Sequence, residues 1–376
     1  MTPFLTWAER KPTVLINPGR RVKGSPTGHS VSNTWGAVRM GNITMEDVAR
    51  QAGVSRATVS RVLRNLHEGT SIPISEETRQ RVLTAVKELD YCPHFLATSL
   101  ASGKSRTVGF VCPEGGLRDW DLVEIYQAVA TTLLAYGYHV LIPPLKPEGN
   151  PACIARNLLR SGRADGLLVC CMDVDEHWDR LCSQEHDRVV FINSSVPHGK
   201  AAHVATDDRQ GASAAILHLL DSGHTRIVFV GDLTQPPVQN RHLGYQEAFQ
   251  QRNLSCDPEW TMNLVGQDFH PQEVVERCTQ RSEPVTAIFA GTDYLAIRLL
   301  KAASDSGISV PRQLAIMGFD DLWPSGCVSP ALSTVRRDAE RIGQEAVEHL
   351  LQGMSGHALS EEPRLIACSL VLRESA

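Results

Sequence analysis

The chain has 376 residues, of which 42% are hydrophobic and 21% are charged, and its formal net charge is −5. At roughly 100–200 residues per domain, this length allows two or three domains. The longest apolar runs are about six residues, so the composition excludes a membrane-spanning helix of about 20 residues and also a chain that is disordered throughout.

The amino-terminal part is basic and irregular. Residues 1–104 carry a charge balance of +6 and the remainder carries −11, so a polyanion would be bound by the amino-terminal part. Residues 1–40 are rich in Gly, Pro, Ser and Thr and are interpreted as an irregular extension. Because Met40 directly precedes the first helical pattern, we favour it as the native start. The alternative is that residues 1–39 form a basic arm that touches DNA.

Residues 41–92 predict three short helices. Thr44 and Asp47 form a capping-box variant at the start of the first helix. Gly53 interrupts the pattern where a sharp reversal needs a residue without a Cβ atom. Ser55 and Ser75 are good N-caps for the second and third helices.

The first two helices and the turn between them predict a helix-turn-helix. Val59, Val62 and Leu63 form one buried stripe on the second helix and leave its polar face outward. Arginine donors on that face fit guanine O6 and N7, a small Ala57 suits a thymine methyl group, and hydroxyls suit phosphates. The candidate DNA-binding residues are Thr44, Ser55, Arg56, Ala57, Thr58, Ser60, Arg61 and Arg64.

From Thr107 onward, short apolar runs alternate with helical stretches. This alternation predicts parallel sheets covered by helices, with enough units for two sheets. The predicted strands are Val108–Val111, His139–Ile142, Gly166–Val169, Val189–Ile192, Ile227–Val230, Ala287–Ala290 and Leu314–Gly318. The helices predicted between them include Leu122–Tyr136, Arg209–Ser222, Tyr294–Ser306 and Ala339–Leu351.

The segments Met45–Ala49 and Ala52–Leu63 resemble, without a gap, the DNA-binding headpiece of the lac repressor (LacI/GalR) family of bacterial transcription regulators. The resemblance extends over nearly the whole chain from about residue 43. Its further motifs are Ser75–Arg79, Leu89–Pro93, Gly223-His224, Arg241 with Gly244-Tyr245, Thr292-Asp293, Gly318–Asp321 and Leu372–Ser375.

The resemblance implies a small all-α helix-turn-helix headpiece followed by an α/β core like that of periplasmic binding proteins. That core has two Rossmann-like subdomains joined by three crossovers. The implied parts are a headpiece at 41–92, a hinge helix or linker at 93–105 and a core at 106–376. Within the core, the first subdomain is expected at about 106–205 and 339–363, and the second at about 206–335 and 364–376.

The hinge of this family wedges a leucine into the DNA minor groove, and here Ala97 and Leu100 match that pattern. For Leu100 the alternative is a buried linker residue. His94 and Thr98 depart from the family's usual asparagine and arginine, so the polar hinge contacts are altered. The loop between Asn65 and Ser75 is about four residues longer than is usual in the family.

Ligands of open α/β sheets bind at the carboxyl ends of strands, and polar residues follow several of the predicted strands. Together with the resemblance, this gives the candidate effector-binding residues Trp120, Asp121, Asn193, Arg241, Asp293 and Asp320. An alternative role for Asp293 is a helix cap, and Trp120 is equally well explained as a rim residue. Trp323 is a weaker aromatic candidate.

Catalysis by the α/β core is not expected, since the sequence has no nucleophile elbow, phosphate loop, dinucleotide fingerprint or histidine pair at metal spacing. The ten cysteines include no Cys-x-x-Cys pair, so we expect reduced, mostly buried thiols. The chain is therefore predicted to need no metal or cofactor and not to be an enzyme. The residues before position 41 also lack the apolar region of a signal peptide, and a cytoplasmic protein is expected.

The sequence as a whole predicts a DNA-binding regulator, more specifically a repressor, controlled by a small polar ligand in the cleft. Its expected partners are double-stranded operator DNA with a pseudo-palindrome, a sugar-like or nucleoside-like effector, and a second copy of the chain. No heptad tail follows the terminal motif, so a homodimer is expected, associated with the nucleoid when bound. The alternatives are a solute-binding protein or a small-molecule-converting enzyme on the same α/β core.

Overall fold

The computed structural model describes residues 43–68, 74–93, 99–100, 102–114, 116, 120–145, 149–172, 174–194, 201–264, 269–280 and 284–376. The side chains of residues 64–68 and 121 are also outside the description. The predicted extension and the hinge positions His94, Ala97 and Thr98 lie outside the described residues. The chain divides into two compact units, Met1–Cys92 and Pro93–Ala376.

Three helices form the first unit: α1 (Met45–Ala52), α2 (Arg56–Glu68) and α3 (Glu76–Glu88). Gly53 ends α1 with a left-handed φ of 64°, as the predicted reversal requires. Helix α2 continues to Glu68, so the prediction that a loop begins at Asn65 is wrong.

The three helices enclose one small apolar core. Helix α1 packs against both α2 and α3. The buried apolar side chains are Val48, Ala49, Ala52, Val59, Val62, Val82 and Ala85. The predicted stripe on α2 is therefore inside, and the opposite face of α2 remains in solvent.

The second unit begins with a parallel six-stranded sheet in the order β11-β5-β4-β3-β1-β2. Its strands are β1 (Thr107–Val111), β2 (His139–Leu141), β3 (Gly166–Cys170), β4 (Val189–Ile192), β5 (Ala202–Thr206) and β11 (Arg364–Ile366). Its helices are α4 (Trp120–Ala135), α5 (Pro151–Arg160), α6 (Glu176–Glu185) and α11 (Ala339–Met354). Strands β3 and β4 are buried along their whole length, which explains their unbroken apolar sequences.

A second parallel sheet has the order β7-β6-β8-β9. Its strands are β6 (Ile227–Gly231), β7 (Thr261–Asn263), β8 (Ala287–Ala290) and β9 (Ala315–Met317). The helices around it are α7 (Asp208–Asp221), α8 (Pro236–Gln251), α9 (Pro271–Thr279) and α10 (Asp293–Asp305). Beside it, β10 (Thr334–Arg336) pairs antiparallel with β12 (Ser369–Val371).

The chain passes between the two lobes three times: after β5, after β10 and after β11. The predicted second boundary of the first subdomain, at residue 363, is wrong by a few residues. Strand β11 pairs in parallel with β5, with Arg364 opposite Val204, and so belongs to the first sheet. The third crossover therefore lies between Ile366 and Ser369.

The described residues include no helix with both the length and the apolar character needed to cross a membrane.

Candidate functional site

The outward face of α2 presents the residues that the sequence analysis selected for DNA. Arg56, Ala57 and Arg61 are exposed, and Thr58 and Ser60 are partly exposed. They occupy the first two turns of α2, the part of a recognition helix that meets base edges in helix-turn-helix proteins.

Hydrogen bonds at the helix starts fix the first two helices. Thr44 Oγ1 accepts from the Asp47 backbone N–H at 3.4 Å, and Asp47 Oδ2 accepts from the Thr44 N–H at 3.0 Å. The bonds from Thr44 lower the pKa of Asp47. Ser55 Oγ accepts from the Thr58 N–H at 3.1 Å and lies 2.9 Å from its hydroxyl. The predicted caps at Thr44 and Ser55 are confirmed.

Leu100 lies on the surface of the second unit. Its side chain is 88% exposed, and the Gly103 N–H donates to the Ser99 carbonyl in the same turn. The alternative that Leu100 is a buried linker residue is therefore wrong. An exposed leucine of this kind is available to a partner surface.

A cavity of about 790 Å³ opens between the two lobes. It is lined by α4 from the first lobe and by the loop after β9 from the second. Residues of the crossovers after β10 and β11 also line it. Asp320 and Arg337 are among its lining residues.

A buried cluster of four charged side chains lies behind this cavity. Arg241 Nε donates to Asp208 Oδ1 at 2.8 Å, and Arg241 Nη2 lies 3.0 Å from Asp320 Oδ1. Arg337 Nε lies 3.1 Å from the same Asp320 oxygen. The Arg241 guanidinium also donates to the Gly291 carbonyl at 2.6 Å and covers the Phe319 ring at 3.8 Å.

Burial and pairing oppose each other within this cluster. Burial disfavours the charge of Arg241, but the carboxylates of Asp320 and Asp208 hold its pKa above the ordinary value. Burial raises the pKa of Asp208, and the Arg241 charge works in the other direction. The structure thus brings Arg241 and Asp320 together. Asp320 lines the cavity, but Arg241 is 3% exposed and is not among the lining residues, so its contact with an effector stays a prediction.

Asp293 lies next to this cluster, since its N–H donates to the Phe319 carbonyl at 2.7 Å, but it has a different role. It is fully buried; Oδ1 accepts from the Thr334 hydroxyl at 2.5 Å, and Oδ2 accepts from the Ser325 hydroxyl at 2.5 Å and from the Leu322 N–H at 2.9 Å. Burial raises its pKa. The carboxylate ties α10 to β10 and to the turn after β9, so the prediction that it contacts an effector is wrong. It is not the N-cap of α10 either, because Thr292 has that position.

The remaining candidates lie at the first lobe. Asn193 follows β4 with a left-handed φ of 46°, and its Oδ1 accepts from the Thr206 N–H at 2.8 Å. Its buried Nδ2 has no acceptor among the described residues. Trp120 begins α4 and stacks on Trp323, with ring centroids 5.8 Å apart. The Asp121 side chain is outside the description.

Three residues of the cleft were missed from sequence: Asp208, Arg337 and Glu124. Arg337 had a usable signal, since two successive arginines stand where a strand ends at a crossover. Asp208 had none, because an aspartate at a helix start is ordinarily a cap. Among the described residues, no group of three or more His, Cys, Asp or Glu side chains is arranged to hold a metal ion.

Comparisons with known proteins match both units. Residues 44–94 match the family described as bacterial regulatory proteins, lacI family, and residues 216–376 match the periplasmic binding protein-like domain. The HTH-type transcriptional repressor PurR of Histophilus somni is 28% identical over 88% of this chain and 98% of its own. The NTD biosynthesis operon regulator NtdR of Bacillus subtilis is 27% identical over 88% of this chain and 99% of its own.

Solved structures agree with this fold. The lac repressor dimer bound to operator and the anti-inducer ONPF has a TM-score of 0.71 at 24% identity, covering 89% of this chain and 98% of its own. The complex of the transcriptional regulator CelR with cellobiose has a TM-score of 0.65 at 24% identity, covering 89% of this chain and 100% of its own. The predicted fold class, a helix-turn-helix headpiece with a periplasmic-binding-like core, is confirmed.

A helix-turn-helix unit in one chain with such a core defines a DNA-binding transcriptional repressor that carries a ligand-binding domain. The chain belongs to the LacI/GalR family of bacterial transcriptional regulators.

Replacing Asp293 by alanine is expected to lower the free energy of unfolding by about 2–4 kcal/mol, because three donors lose a charged acceptor in a buried site. Urea unfolding followed by circular dichroism measures this difference. The control is Asp305→Ala on the same helix, where an exposed pair with Lys301 is worth less than about 1 kcal/mol. Equal stability of the two variants would contradict the structural role of Asp293.

Proposed function

We propose that this chain binds a pseudo-palindromic operator as a homodimer, and that a small polar ligand in the cleft controls its operator affinity. The observation that carries the proposal is the exposure of Arg56, Ala57 and Arg61 on the first turns of α2. An isolated amphipathic helix with outward arginines is ordinarily a solvated face. Here the helix lies in a helix-turn-helix whose segment matches a DNA-binding family.

Each residue type on this face suits one part of DNA. The guanidinium groups of Arg56 and Arg61 reach guanine edges with paired donors, and Ala57 allows close approach to a thymine methyl group. Ser55, Thr58 and Ser60 suit phosphates, as do Thr44 and Arg64. Two such headpieces in a dimer read two half-sites in successive major grooves, which is why a pseudo-palindrome is expected.

The segment 93–105 is proposed to act as the hinge between a headpiece at 41–92 and the core. Its Leu100, with Ala97, is proposed to enter the minor groove, where an apolar wedge kinks the duplex. The 88% exposure of Leu100 supports this role. Residues 1–39 are proposed to lie outside the native protein, with Met40 as its start.

The ligand is proposed to be sugar-like or nucleoside-like and to lie against Asp320 and Arg337. Charged side chains at strand ends can hold several hydroxyls through multidentate hydrogen bonds. Arg241 supports Asp320 at 3.0 Å, and Asn193 and Trp120 of the first lobe are proposed as further contacts of the ligand. The CelR–cellobiose complex and the lac repressor bound to ONPF carry small ligands on this fold.

A solute-binding protein or an enzyme on the same core is the competing proposal. Turnover separates the classes, because a regulator returns its ligand unchanged. The named relatives are transcriptional regulators, which favours the first proposal.

Footprinting on the DNA upstream of the chain's own gene tests the proposal. It is done at two salt concentrations, with and without a panel of sugars and nucleosides. A protected pseudo-palindrome that resists competitor DNA supports sequence-specific binding. A ligand that releases it marks induction, and one that tightens it marks corepression. Absence of protection under every condition would overturn the proposal.

Arg56→Ala and Arg61→Ala are each expected to weaken operator binding about tenfold or more, because a bidentate contact with a base contributes about 1–3 kcal/mol of discrimination. Electrophoretic mobility shift with specific and scrambled duplexes measures the effect. Lys87→Ala, at an exposed position on α3, is the charge-matched control. A loss of the same size for the specific and scrambled duplexes would mean that the arginines contact only phosphates.

Leu100→Ala is expected to weaken operator binding strongly and to leave ligand binding by the core intact, because the side chain makes its contact only with DNA. The same mobility-shift assay measures operator affinity, and calorimetry measures ligand binding by the core. Ser102→Ala in the same segment is the control. Operator affinity equal to that of the unchanged protein would refute the wedge.

A further inference from the structure

An aromatic pair and an acidic pair each have one member on α4 and one on the loop after β9. Trp120 and Glu124 stand four residues apart on α4 and so share one face of that helix. Asp321 and Trp323 lie on the loop after β9, in the other lobe. We propose that these four side chains form a subsite for an ammonium group, and that the effector of this protein carries a primary amine. The inference rests on the proposed function, since it assigns a chemical class to the ligand of that cleft.

The two indoles form the aromatic wall of the subsite. Their ring centroids are 5.8 Å apart and the planes are inclined by 16°, which is a stacked arrangement between the two lobes. Trp120 is nevertheless 54% exposed and Trp323 66% exposed. Their outer faces therefore remain available, and an indole face is the aromatic surface to which a cation is attracted most strongly.

Glu124 supplies the charge that an ammonium would meet. It lines the cavity, as does Asp321. Asp321 already has two basic partners, because Arg336 Nε and Arg373 Nη2 each lie 2.7 Å from one of its oxygens. In the described part of the chain, no basic side chain forms an ion pair with Glu124.

The surroundings of Glu124 disfavour its charge. Desolvation by the surrounding protein raises its pKa, and the nearby charge of Asp321 raises it further. A ligand cation would remove this repulsion and gain a charge-assisted hydrogen bond.

The other charges of the cavity do not favour an anion. Arg336 is paired with Asp321, and Arg337 with Asp320. Each guanidinium that lines the cavity therefore has a carboxylate partner, whereas among the described residues no basic side chain forms an ion pair with the lining carboxylates of Glu124, Asp338 and Glu340. An anionic effector would add to the repulsion at Glu124 and Asp321.

Calorimetric titration of the full chain with matched probes tests the assignment. Each amine is paired with the alcohol that replaces its ammonium by a hydroxyl. The pairs are glucosamine with glucose, ethanolamine with ethylene glycol, and putrescine with 1,4-butanediol; glucuronate is the anionic probe. At least one amine is expected to bind about tenfold more tightly than its alcohol, and glucuronate to bind more weakly than glucose.

Two variants locate the effect. Glu124→Gln keeps the size of the side chain but removes its charge and one acceptor oxygen, and it is expected to reduce the amine preference about tenfold. Glu348→Gln, on the exposed face of α11, is the matched control and is expected to leave the preference unchanged. Equal binding of amine and alcohol in all three pairs, including no binding at all, would overturn the inference. A preference that survives Glu124→Gln would overturn it as well.

Failure of this inference is distinguishable from failure of the proposed function. If a neutral sugar shifts operator protection while amines do not, the ammonium subsite is wrong and the regulator stands. If an amine binds through Glu124 but the unliganded protein protects no operator, the subsite stands and the regulator fails.

Discussion

A buried charge cluster at the junction of the lobes is the constraint on which the core depends. Asp208 stands at the first crossover and Arg337 at the second, and Arg241 and Asp320 connect them through contacts of 2.8–3.1 Å. Cys368, at the third crossover, has its pKa raised to about 12 by burial and by the charge of Asp208. Removing one partner would leave a buried charge uncompensated, at a cost of about 3–5 kcal/mol. The cluster therefore connects the first and second crossovers to the second lobe.

The same cluster connects ligand chemistry to the arrangement of the lobes. Asp320 and Arg337 line the cavity and also belong to the cluster, so a ligand that contacts them acts directly on the crossovers. A small displacement there is converted into a different angle between rigid lobes, because packed lobes move as units. Under the proposed function that angle sets hinge separation and hence operator affinity. By thermodynamic linkage, operator DNA must then change the affinity for the ligand by the same factor as the ligand changes operator affinity.

Local chemistry made much of this structure predictable. The caps at Thr44 and Ser55 and the buried runs such as Val189–Ile192 follow from residue type and spacing within a few positions. Strands β5, β7 and β10–β12 were not predicted because they have only three to five residues and mix polar with apolar side chains. The roles of Asp293 and Trp120 were not predictable, since their partners Thr334 and Trp323 are distant in sequence and only the tertiary fold brings them together.

The most direct test of the central claim, that the cleft and the headpiece are coupled, is a closed thermodynamic cycle. Operator affinity is measured by fluorescence anisotropy with and without the ligand that alters the footprint. The affinity for that ligand is then measured by calorimetry with and without operator DNA. Coupling through the core predicts that both affinities change by the same factor. A ligand that binds the cleft and leaves operator affinity unchanged would contradict the coupling.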